Sequence, residues 1–92
     1  MSNGSKTYQN ITSALLGCIK SKSKSEHGTV YAPPDGNQGT ATTKVSFIGT
    51  IVLGFDFDPG ASTLAYTIQQ KPAIVSADQI WNGIQSTINE CN

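Results

Sequence analysis

Residues 41–57 read ATTKVSFIGTIVLGFDF, and this stretch decides the fold. Val45, Phe47, Ile51, Leu53, Phe55 and Phe57 fall on odd positions, while Lys44, Ser46, Thr50 and Asp56 fall on even ones. Successive side chains of an extended chain point to opposite faces, so an alternation of period two describes a strand with one buried face. The pattern predicts one long strand from Ala41 to Phe57, with Gly49 on its buried side and Gly54 on the other. Glycine inside a strand marks a bulge, a bend or a close approach by another element.

Working outward toward the C-terminus, Asp58-Pro59-Gly60 is a turn. Proline presets φ at the first central position, and glycine accepts the positive φ that can follow. Ser62–Gln70 then alternates Leu64, Tyr66 and Ile68 against Thr63, Ala65, Thr67 and Gln69, a strand expected to pair antiparallel with the second half of the long one. Pro72 ends it. Ser76-Ala77-Asp78-Gln79 has the form of a capping box, and Asp78 places negative charge in the first helical turn. From Ala77 to Glu90 the residues Ile80, Trp81, Ile84, Ile88 and Cys91 share one helical stripe. Gly83 within it costs about 1 kcal/mol relative to alanine, which points to close packing there.

Toward the N-terminus, Gly28–Ala32 is a short β-prone run stopped by Pro33-Pro34, and residues 35–39 (DGNQG) form a dense turn signal. Tyr8, Ile11, Leu15, Cys18 and Ile19 recur at steps of three and four, which predicts a helix over 7–21. Lys20, Lys22 and Lys24 follow as solvated charge at its C-terminal end, where the macrodipole favours cations. Residues 1–6 are small and polar, and are expected to be disordered. The whole reads as one α+β domain over 7–92, in the order α-β-β-β-α. A three-stranded antiparallel meander carries both helices on one face, in two layers around a single core.

The chain has 92 residues, enough for one core, and its six lysines balance six carboxylates. It contains no arginine, the side chain best suited to phosphate and guanine recognition, so nucleic acid is an unfavoured partner. No apolar run approaches the roughly 20 residues of a membrane span, and residues 1–6 do not resemble a signal peptide, so a soluble chain with no membrane partner is expected.

Chemistry is sparse. His27 is the single histidine and sits in a loop signal, so neither a metal site nor a nucleophile–base pair is expected around it. Asp56 and Asp58 project from the same side of a strand end, but Asp58 reads first as a turn residue. The Gly36–Gly39 segment leads into a strand, whereas phosphate-cradling loops lead into a helix. No cofactor is therefore expected. Cys18 and Cys91 read either as two buried apolar side chains or as a disulfide, which requires their Cα atoms within about 7 Å.

One feature of the long strand invites a partner. Ile48 and Val52 stand with Ser46 and Thr50 on the even face, which two helices on the opposite side would leave uncovered. The sequence thus describes a non-enzymatic domain that binds a protein partner or itself as a homodimer through that face. A small secreted effector, toxin or inhibitor-like domain is the alternative, motivated by size, low charge and the two cysteines. An enzyme working through Asp56, Asp58 or His27 is the least favoured.

Overall fold

The computed structural model describes residues 4–92, in the order β1 (Ser5–Gln9), α1 (Ser13–His27), β2 (Val30–Ala32), β3 (Gln38–Val45), β4 (Gly49–Asp58), β5 (Thr63–Gln70) and α2 (Ala77–Cys91). The class is α+β, but the sheet has five strands where the pattern predicted three. They are arranged β1-β5-β4-β3-β2, with every neighbouring pair antiparallel. The predicted pairing of Ser62–Gln70 with the second half of the 41–57 stretch is present as β4–β5, with Phe57 opposite Leu64 and Phe55 opposite Tyr66.

The long strand is two strands. Val45 pairs with Gly49 across a three-residue turn, Ser46-Phe47-Ile48, closed by the Ile48 N–H donating to the Val45 carbonyl at 3.1 Å. Alternation runs straight through this turn, so the pattern of period two conceals the reversal. Phe47, predicted on the buried side, stands fully exposed at the tip with φ 65°.

The predicted first helix also divides. Tyr8 lies in β1 and packs into the core from the sheet, while the helix begins only at Ser13. Thr12 caps it, its side-chain oxygen accepting from the Leu15 N–H at 3.1 Å. The helix continues past Ser21 to His27 and ends at Gly28, whose left-handed backbone (φ 69°) lets its N–H reach the Lys24 carbonyl. Ser5 and Lys6, expected to be disordered, are paired with Thr67 and Tyr66, whereas residues 1–3 of that segment lie outside the described residues.

The sheet's core residues share one face, and both helices pack on it. Tyr8, Leu53, Phe55, Leu64, Tyr66 and Ile68 meet Ile11, Leu15, Leu16 and Ile19 of the α1 segment and Ile80 and Ile88 of α2 in one cluster. The α2 capping box is formed: the Gln79 N–H donates to Ser76 Oγ at 3.1 Å, and the Ser76 N–H donates to Gln79 Oε1 at 2.9 Å. A disulfide joins Cys18 of α1 to Cys91 of α2, their Cα atoms 5.9 Å apart. Gly39 is demanded by the β2–β3 connection. At φ 152° it packs so tightly that an added Cβ would collide with the Ala32 carbonyl oxygen.

Candidate functional site

The helices and the sheet do not close on one another along their whole length. Where the C-terminal half of α1 faces the N-terminal half of α2, they leave an open cavity of about 340 Å³. Its floor is the sheet, through Tyr31, Ala41, Leu53 and Tyr66, and its sides include Ile51, Ile80 and Ile84. Val45, at the end of β3, and Val75, in the connection from β5 to α2, also line it. The exposed lining residues, His27, Gln79 and Gly83, form the mouth.

Polar groups inside are few and mutually satisfied. The Tyr31 and Tyr66 hydroxyls share a buried hydrogen bond of 2.8 Å, and the Thr29 and Thr43 hydroxyls share one of 2.6 Å. Burial pushes the tyrosine hydroxyls of both Tyr31 and Tyr66 up, because their ionised forms would be stripped of water. Apart from the two tyrosines, His27 at the exposed mouth is the only ionisable side chain in the lining. The lining therefore suits an uncharged apolar group.

The sequence predicts close packing at Gly83. The structure corrects this: a Cβ built there meets nothing within 4 Å, because the residue borders the cavity mouth instead of a neighbouring element.

A second depression lies on the other side of α1, against the β2–β3 connection, and Lys20 crosses it. Its ammonium donates to the Pro34 carbonyl at 3.1 Å and the Gly36 carbonyl at 2.7 Å, and lies 5.7 Å from the Tyr31 ring centre and 5.3 Å from that of Phe55. Desolvation lowers the pKa of this lysine, with Asp35 acting in the opposite direction. A side chain used this way fastens a loop, and this depression, at about 590 Å³, is larger than the cavity beneath the helices but has Lys20, Lys24 and Asp35 in its lining.

The four residues predicted to form one interaction face are separated. Thr50 and Val52 lie on β4, on the side opposite Leu53 and Phe55 that no helix covers, but Ser46 and Ile48 belong to the turn before it. Val52 stands opposite Thr42, and Thr50 opposite Lys44. Asp56 and Asp58 have separate engagements. Asp56 accepts from Gln38 at 3.1 Å, while Asp58 Oδ1 accepts from the Gly60 and Ala61 N–H groups at 3.0 and 3.2 Å, closing the β4–β5 turn.

Sequence reasoning missed the cavity and the Phe47 tip. One signal was available: a 17-residue strand is well beyond the roughly 3–10 residues usual in globular proteins, which argues for a reversal inside it. Among the described residues no helix is long and apolar enough to cross a membrane, and no three metal-ligating side chains cluster. Comparison of the chain with known protein families, with curated proteins and with solved structures returns no match.

Proposed function

We propose that this domain is a non-catalytic binding module whose receptor is the cavity between the α1–α2 pair and the sheet. The observation that carries the reading is the 340 Å³ opening itself, walled by aliphatic and aromatic side chains, with its interior hydroxyls already paired. A polar or charged ligand would have to break those pairs without finding a counter-charge. An apolar group displaces only water and gains the contacts that a void lacks. The Cys18–Cys91 bridge holds the helices together at the far end and suits an oxidising compartment, in keeping with a secreted module.

The test is titration with toluene, a neutral apolar probe, followed by NMR shifts and thermal melting. Binding is expected to perturb Tyr31, Ile51, Ile80 and Ile84 and to raise the melting temperature through linkage. A Gly83→Phe variant, which carries its ring into the open mouth, is expected to weaken toluene binding at least tenfold. Undiminished binding in that variant, or shifts elsewhere only, overturns the reading.

A second reading is binding of a protein partner through the uncovered sheet face. It is supported by Thr40, Thr42, Thr50, Val52, Ala65 and Thr67, side chains of modest size on neighbouring strands. Val52→Asp is expected to abolish such binding and leave toluene binding intact.

A further inference from the structure

We infer that the apolar group received by the cavity is Phe47 of a second copy of this chain, in a two-fold dimer where each copy inserts its turn into the other. This rests on the cavity being a receptor and adds the identity of the occupant.

The first observation is the cost of Phe47 where it stands. Its side chain is 109% exposed, and its backbone lies at φ 65°, a region that disfavours side chains and favours glycine. A glycine or asparagine would satisfy the turn better, so a phenylalanine there is explained by something it touches outside this chain. Ile48 beside it is 42% exposed, and Ile74 is 76% exposed.

The second observation is placement. Val45 lines the cavity two residues before Phe47. Gly49 approaches Pro72 so closely that an added Cβ would lie 2.9 Å from its Cγ, and Pro72 begins the turn that carries Ile74 and the lining residue Val75. Knob and hole therefore share one end of the molecule. When both occupy the same end, a two-fold axis can bring each Phe47 to the other copy's mouth and close the assembly at two; on opposite ends they would propagate a filament.

Size and charge agree. A dry cavity of about 150 Å³ already holds benzene, so 340 Å³ admits a benzyl side chain. Burying Phe47, Ile48 and Ile74 of both copies with the rims they meet removes on the order of 1,000 Å², the scale at which a specific interface becomes stable. Lys44 and Lys71 adjoin the knob, while Glu26 and Asp78 adjoin the mouth residues His27 and Gln79. Exchange of knobs brings the lysines of one copy toward the carboxylates of the other, and a chain of zero formal net charge does not repel itself.

The experiment is sedimentation equilibrium over a wide concentration range on wild type, Phe47→Gly, Gly83→Phe and Val52→Asp. Wild type is expected to dimerise reversibly. Phe47→Gly, which suits the turn and folds without strain, and Gly83→Phe, which fills the hole, are each expected to weaken association at least tenfold, and Val52→Asp is expected to leave it unchanged. An equal mixture of Phe47→Gly and Gly83→Phe restores one knob and one hole, and is expected to associate more tightly than either alone. A wild type that stays monomeric, or a Phe47→Gly dimer as tight as wild type, overturns the inference. In that event, toluene that binds Phe47→Gly, whose cavity no knob can fill, and fails with Gly83→Phe leaves the receptor reading standing; toluene that does not bind Phe47→Gly brings both down.

Discussion

The two ends of the helix–sheet interface differ sharply in how they are filled. At the end where α1 begins and β4 turns into β5, Ile11, Ile19 and Leu64 are at most 1% exposed, and the Ile11 N–H donates to the Ser62 carbonyl at 2.9 Å. The same end holds the C-terminus of α2, with Ile88 buried and Cys91 bridged to Cys18. At the other end Val45, Ile51, Val75 and Ile84 are only half-buried around a cavity. One interface is thus closely packed at one end and open at the other, where the proposed binding cavity lies. Regions that bind are drawn from the less tightly held parts of a fold.

The largest test of this contrast is the bridge. The two cysteines are 73 residues apart, and a loop of that length restrains the unfolded chain by about 4 kcal/mol in the chain-entropy model. Replacing Cys18 and Cys91 together with alanine is expected to lower the unfolding free energy by about that amount in urea titrations. A loss below about 1 kcal/mol would mean that the bridge does not secure the packed end.

Next come paired truncations. Leu64→Ala at the packed end removes a wholly buried side chain and is expected to cost about 3 kcal/mol. Ile84→Ala borders existing empty space and is expected to cost below about 1 kcal/mol, since few atoms there lose a partner. Equal losses would erase the contrast.

Tyrosines join the two regions. Tyr66→Phe leaves the Tyr31 hydroxyl without its 2.8 Å partner and is expected to cost about 1 to 2 kcal/mol. Burial pushes Tyr8 up to about 12, and its hydroxyl donates to the Trp81 carbonyl at 3.1 Å. Its unfolded value is near 10. The unfolded chain therefore loses this proton first, so stability is complete below pH 10 and falls as pH rises from 10 toward 12. Urea midpoints at pH 9, 10 and 11 are expected to decline in wild type and to decline less in Tyr8→Phe.

The smallest effect has the opposite sign. Gly83→Ala adds a methyl group into open space within a helix and is expected to stabilise the fold by up to about 1 kcal/mol. A destabilised variant would show that the mouth is tighter than its geometry implies.

Several features were legible from local chemistry alone. The capping box at Ser76, the turn at Asp58-Pro59-Gly60 and the alternation of β4 and β5 each depend on residues close in sequence, and each took the expected form. The alternation hid the division of the 41–57 stretch, because its turn residues happen to keep the period of two, and the length of the run was the one sign of the Val45–Gly49 reversal. Tyr8 failed for a related reason: a core-facing strand residue three positions before Ile11 mimics a helical step.

Sequence by itself determined the α+β class, the strand faces of residues 51–57 and 64–68, and the C-terminal helix with its cap, since these follow from short-range periodicity and hydrogen bonding. Tertiary structure alone decided that β1 pairs with β5, that Thr50 and Val52 part from Ser46 and Ile48, that Cys18 meets Cys91, and that a cavity opens beside Gly83. Pairing partners, bridges and voids depend on how separate elements meet in space, and no local pattern encodes the gap left between two helices packed on a sheet.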